Sequence, residues 1–166
     1  MPYPPKDWSH FFGDDDPKIG YNRLWFFLMR AHRKIYPKIS KVLRDEGMSD
    51  PIWYEILMYV EKAGDAGQPM ASLENELYVP QYALSRHISR MEKAGYIRRT
   101  YLSDGRRKQV LFITEDGKGI HGRIWPAYLD AIQTEFSEKL TTDEAYDLAH
   151  KMVKLFVQGE SEQPAP

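Results

Sequence analysis

Cysteine is absent from the chain. That removes disulfides, thiolate nucleophiles, thiol-based redox sensing and Cys-ligated zinc together, and it fits a reducing compartment. Nor does charge of one sign dominate. The 23 Lys and Arg against 24 Asp and Glu leave a net charge of −1, so any affinity for a polyanion must come from local placement. No uninterrupted apolar run approaches the roughly 20 residues of a membrane span. The N-terminus, MPYPPKDWSHFFGDDD, lacks the basic start and apolar run of a secretory signal. The expectation is a cytoplasmic protein with no membrane partner. The five histidines, His10, His32, His87, His121 and His150, show no metal-ligand spacing such as HExxH. No metal and no cofactor are expected. A nucleotide-binding glycine loop and a nucleophile elbow are also missing, which argues against an enzyme.

What is present is enough apolar material, 42% of 166 residues, for a real core. Residues 1–17 carry four prolines and the aspartates Asp14 to Asp16, and read as an irregular arm. Trp8, Phe11 and Phe12 within it suggest packing on another surface; a mobile tail is the alternative. From Ile19 to about Glu46, Leu24, Leu28, Ala31, Ile35, Ile39 and Val42 recur at helical spacing, with a bend expected at Pro37. Gly47 closes that helix, and Asp50 with Pro51 opens a second whose apolar face is Trp53, Ile56, Leu57 and Val60. A minor strand near Gln68–Met70 precedes a short helix over Met70–Tyr78. Another helix is expected over Gln81–Ala94, with Leu84, Ile88 and Met91 inward and Gly95 ending it. Two short helices at a tight turn make a helix-turn-helix candidate.

After Gly95 the period changes. Tyr96–Leu102 and Gln109–Thr114 are rich in aromatic and β-branched residues around the turn Ser103-Asp104-Gly105, which predicts a β-hairpin. Thr114 then caps a long helix with a stripe of Ile120, Ile124, Tyr128, Ile132 and Phe136 and a bend at Pro126. Thr141 and Glu144 have capping-box spacing before a last helix with Ala145, Leu148, Met152 and Leu155 inward. The first helix and the last two are too apolar to stand as solvated rods and need a partner surface. The expected divisions are the arm 1–17, an N-terminal helix 18–47, a central lobe 48–114, C-terminal helices 115–158 and an acidic tail 159–166. The expected fold is mainly α with a small β-hairpin.

Charge is concentrated in the lobe. Arg86, Arg90, Lys93, Arg98, Arg99, Arg106, Arg107 and Lys108 are opposed only by Glu92 and Asp104. Phosphate binding draws on release of condensed counterions, so such a patch counts even in a neutral protein. It also fits a merely solvated face. On the Gln81–Ala94 helix the inward stripe leaves Gln81, Tyr82, Ser85, Arg86, Ser89 and Arg90 outward, side chains able to reach base edges and phosphates. At the hairpin tip Asp104 can orient an arginine for a narrow minor groove, or Asp104-Gly105 is simply a turn. Sequence reasoning does not separate Arg106 from Arg107; Arg106 is taken as the inserted residue and Arg107 as its phosphate-binding neighbour, with Lys108 a further DNA-binding residue of the wing.

From about Arg23 to Phe156 the chain resembles the MarR family of winged helix-turn-helix transcriptional regulators. The resemblance rests on LSRHISRMEKAGYIRR followed by SDGRRKQVLFITEDGKGI, with MSDPIWYEILMYV similar to the family's second helix. It implies a homodimer, with N- and C-terminal dimerisation helices interlocked above two winged-helix lobes on double-stranded DNA at a pseudo-palindromic operator. Ser85, Arg86 and Arg90 fall where the family contacts the major groove, and Asp104 and Arg106 resemble its wing pair. The resemblance also implies release by a small aromatic or phenolic acid. Trp25, Met29, His32 and Tyr36 form a second stripe on the first helix beside Trp53, Tyr54 and Tyr128, with Arg30 or Arg33 available for a carboxylate. Such stripes also serve as core or dimer contacts. A winged helix can instead be a protein-docking module without sequence-specific DNA binding.

Overall fold

The computed structural model describes residues 12–103 and 107–156. The helix α1 spans Ile19–Asp45, α2 Pro51–Ala63, α3 Met70–Leu77, α4 Gln81–Lys93, α5 Glu115–Ser137 and α6 Thr142–Val153, with strands β1 Gln68–Pro69, β2 Ile97–Ser103 and β3 Arg107–Ile113. Mostly helical with one small antiparallel sheet of order β1-β3-β2, it is a winged helix-turn-helix as expected. Among the described residues no helix is long and apolar enough to cross a membrane, and no three His, Asp or Glu cluster as a metal site.

The lobe is built on the apolar faces of α2, α3, α4 and β3. Ile56, Leu57, Val60, Leu73, Leu84, Ile88, Met91 and Leu111 are fully buried, each such side chain contributing about 1.5–3 kcal/mol of transfer free energy. Asp50 caps α2, its carboxylate accepting from the Ile52 amide at 3.0 Å. Chain reversal at the end of α4 uses Gly95 at φ +82°, with the Gly95 amide donating to the Glu92 carbonyl and the Tyr96 amide to Met91. These paired bonds close the last turn of a helix that exits in the left-handed region.

The hairpin runs in register from Ile97 opposite Ile113 to Ser103 opposite Arg107. Expected to begin at Gln109, β3 starts two residues earlier. Thr114 then joins three elements. Its hydroxyl donates to the Gly95 carbonyl at 2.6 Å and accepts from the Gly117 amide at 3.0 Å. Its own amide donates to the Tyr96 carbonyl. That brings the first turn of α5 so near that a Cβ on Gly117 would overlap the Tyr96 carbonyl oxygen.

Above the lobe α1 packs along α5, and Lys38 meets Glu135 at 2.8 Å. The stripes expected to face inward on the outer helices are only partly covered. Leu24, Phe136, Leu148 and Leu155 are exposed, and α6 buries no residue at all. One chain supplies no surface opposite them, which is the physical reason for the difference. The segments 1–11 (with Trp8 and Phe11) and 157–166 lie outside the described residues. Phe12 lies against α1, 6.0 Å from the Phe27 ring and with the Arg23 guanidinium 4.2 Å above it.

Candidate nucleic-acid interface

Helix α4 has two chemically distinct faces. Leu84, Ile88 and Met91 are wholly buried, whereas Gln81, Tyr82, Arg86, Ser89 and Arg90 are exposed and Ser85 is half-buried. The helix starts at Gln81 because Pro80 carries no amide and its carbonyl accepts from Ala83 and Leu84. On the outer face the Arg86 guanidinium lies 5.8 Å from the Tyr82 ring, one turn away. That of Arg90 lies 5.5 Å from the ring of Trp53. Both arginines are supported through their planar groups while their N–H edges stay accessible.

The sequence count of basic residues overstates what is available. Arg99 has a side chain only 10% exposed. It donates to Gln109 Oε1 at 3.1 Å and Ser89 Oγ at 3.0 Å, and pairs with Glu92 at 3.1 Å. It joins the wing to α4. Arg98 stacks over the Phe112 ring at 4.6 Å, and Lys108 is exposed on β3. Asp104 and Arg106 lie outside the described residues, as does the side chain of Arg107, whose backbone pairs with Ser103.

The seven residues expected around a ligand are not brought together as one group. Trp53 is buried in the lobe core, with Tyr96 edge-on at 6.2 Å. Its indole N–H donates to His87 Nδ1 at 3.2 Å. Being the first residue of α2's apolar face, it turns toward α4. Trp25 and Met29 lie toward the outer end of α1, with Trp25 about 16 Å from Tyr36 along the helix axis. Four do converge where α1, α2 and α5 meet. His32 stacks on Tyr36 at 4.9 Å and Tyr54 meets Tyr128 edge-on at 5.0 Å. Burial, helped by the neighbouring Tyr36 and by Glu55, pushes the Tyr128 phenol above its ordinary pKa. Burial likewise raises Tyr54, and also Tyr36, whose hydroxyl donates to Asp50 at 3.3 Å.

Sequence reasoning missed Trp125 and His121, which pack on Tyr54 at 5.5 and 4.4 Å. It also missed the Arg99 bridge and the Trp53–His87 bond. The alternation of β2 puts Arg99 on the side opposite Arg98. That was the available signal for one buried and one outward arginine.

Residues 46–109 match the MarR family model. Over these residues the winged-helix lobe is similar to the MarR family. Every α4 residue named above falls inside the matched segment, whereas α1, α5 and α6 fall outside it. Solved structures extend the likeness over the rest of the chain. Sco3205 from Streptomyces coelicolor, a MarR family transcriptional regulator in complex with DNA, matches with TM-score 0.74 at 21% identity, covering 92% of this chain and 95% of its own. A mutant MarR from E. coli complexed with operator DNA matches with TM-score 0.71 at 20% identity over 84% and 98%. AbsC, another MarR family regulator from S. coelicolor, gives 0.70 at 22% over 81% and 90%. At these identities the likeness is one of fold. No curated protein sequence matches the chain.

Proposed function

We propose that this protein is a transcriptional regulator that binds duplex DNA as a homodimer, each subunit reading one half of a pseudo-palindromic operator. The observation that carries the reading is the outer face of α4. Tyr82, Arg86 and Arg90 stand exposed directly opposite a fully buried apolar stripe. A helix seated this firmly on its inner side can present bidentate donors to the major groove without rearranging. Gln81, Ser85 and Ser89 complete that face. Arg106 enters the adjacent minor groove, oriented by Asp104, and Arg107 and Lys108 take phosphates. Two of the neighbours just described were solved on DNA, which supports the same use here.

Dimerisation follows from apolar surface left open. The outer half of α1 exposes Tyr21, Leu24, Trp25, Phe26 and Phe27. Helices α5 and α6 enclose a groove of about 680 Å³ walled by Ile132, Phe136, Leu148 and Met152. A second copy covers both and sets the two α4 helices about 34 Å apart, one turn of duplex. A small aromatic acid bound at Tyr36, Tyr54 and Tyr128, with Arg33 or Arg30 on its carboxylate, would release DNA by favouring another lobe spacing. A protein-docking role has no observation in its favour comparable to the basic outer face.

The test is a gel shift with a duplex from the protein's own upstream region, titrated against salt. The affinity should fall steeply with ionic strength, and an Arg86/Arg106 double alanine variant should lose it. Binding unchanged in that variant at moderate salt would refute the assignment. For the ligand, a thermal-shift panel of aromatic acids should yield a stabilising compound whose effect Tyr128→Ala removes.

A further inference from the structure

The contact between Trp53 and His87 constrains chemistry on the DNA-facing helix. An indole N–H can only donate, so His87 Nδ1, 3.2 Å away, must be an acceptor. The ring is therefore neutral with its proton on Nε2. The same indole lies under the Arg90 guanidinium at 5.5 Å. Trp53 is 5% exposed within the lobe core, and its indole meets two side chains of α4, His87 and Arg90, at once.

We propose that Trp53 is a positioning residue for sequence reading: its indole, bonded to neutral His87, fixes where Arg90 sits, and protonation of His87 breaks that hold and costs discrimination between sequences. This rests on the DNA-binding reading above. A proton on Nδ1 would place donor against donor, and a cation would then stand between Arg86 and Arg90. The groups facing His87 are those two arginines on its own helix and Asp50 at the start of α2, which in turn accepts from Tyr36 of α1. Burial holds the imidazole below its usual 6.5, with Arg90 and Arg86 acting in the same direction and Asp50 against them. The neutral form therefore prevails at pH 7, and the change falls on the acid side of 6.5.

The added positive charge does not weaken attraction to phosphates. The signature is therefore a loss of specificity without loss of affinity for arbitrary duplex, which a general acid effect on folding would not give. The full-length protein is used to select a duplex from a randomised pool at pH 7.5. Its affinity is then compared with that for poly(dI-dC) from pH 7.5 down through the His87 titration, as located by NMR in the free protein. The ratio should fall by on the order of tenfold, with poly(dI-dC) bound equally or more tightly. His87→Asn keeps an acceptor for the indole but cannot titrate, so its ratio should stay flat. Trp53→Phe keeps a ring under Arg90 without the N–H, and should sit near the parent's acid value at every pH.

An unchanged ratio in the parent, or the parent's pH profile in His87→Asn, overturns the inference. In the free protein, the Trp53 indole proton resonance should follow the His87 titration by NMR. If it stays still, the inference fails whether or not a duplex binds. If no duplex can be selected at any pH, the DNA reading fails, and this proposal with it, while the indole resonance still reports on the contact alone.

Discussion

The guanidinium of Arg99 donates to the hydroxyl of Ser89 across 3.0 Å, tying strand β2 to the outer face of α4. With Glu92 and Gln109 on the same guanidinium, a cation that the sequence offers to phosphate is used as an internal brace. Arg99→Ala removes these charge-assisted contacts from a side chain that is only 10% exposed and should cost about 1–3 kcal/mol of stability. Arg98→Ala, on the other face of the strand, should cost no more than about 0.5–1 kcal/mol, the worth of its exposed contact with the Phe112 ring. If Arg98 meets phosphate, its loss should reduce the salt slope of DNA binding by about one. Urea denaturation and binding against salt measure the two effects separately.

Two glycines two positions apart in α5 should respond in opposite directions. A Cβ at Gly117 would overlap the Tyr96 carbonyl oxygen and approach Ile113 Cγ1 to 2.9 Å, whereas at Gly119 it meets nothing within 4 Å. Gly117→Ala is therefore expected to destabilise by about 1–3 kcal/mol through overpacking against backbone. Gly119→Ala should stabilise by about 0.5–1 kcal/mol, because it removes backbone freedom from the unfolded chain. Thermal melts of the two variants, run together, test both signs.

These contrasts show where the sequence was readable. Local rules found the helices, since Asp50, Thr114 and the Thr141–Glu144 capping box act within three residues of themselves. The inward stripe of α4 was legible for the same reason, because helical period alone separates Leu84, Ile88 and Met91 from Arg86 and Arg90. What was not legible depends on pairs distant in the chain. Nothing near Trp53 announces that its N–H will meet His87, 34 positions away. The stripe logic that grouped Trp53 with Tyr54 ignored the turn of about 100° between neighbours on a helix, which sends one to α4 and the other to α5. The stripes of α6 were seen correctly as apolar, but what covers them is not encoded in the period.

Acid stability should carry the mark of Glu135. Lys38 at 2.8 Å and Lys139 at 3.2 Å hold its carboxyl below the ordinary value of 4.5, with burial partly opposing them. A carboxylate whose folded value is depressed contributes stability that is present above 4.5 and lost as pH falls through the folded value. Glu135→Gln should therefore be less stable than the parent at pH 7, with the difference closing below pH 4.5. Paired urea melts at pH 7 and pH 3 check it, and a difference that persists unchanged at pH 3 would contradict the ion-pair origin.

The open groove between α5 and α6 gives the most direct test of assembly. Leu148 is 47% exposed within one chain and contributes nothing to the core of the lobe. A subunit interface that buried it would gain part of the roughly 1.5–3 kcal/mol of a covered leucine, and a carboxylate in its place would resist desolvation. Leu148→Glu should thus raise the dimer dissociation constant by at least tenfold in sedimentation equilibrium. Far-UV circular dichroism of the variant should keep its helical shape, since the lobe does not depend on that side chain. On the proposed reading, operator affinity should fall with the dimer, because a single subunit offers one α4. Higher protein concentration should restore both together. If affinity is lost while the dimer persists, the groove acts on DNA by some route other than joining two chains.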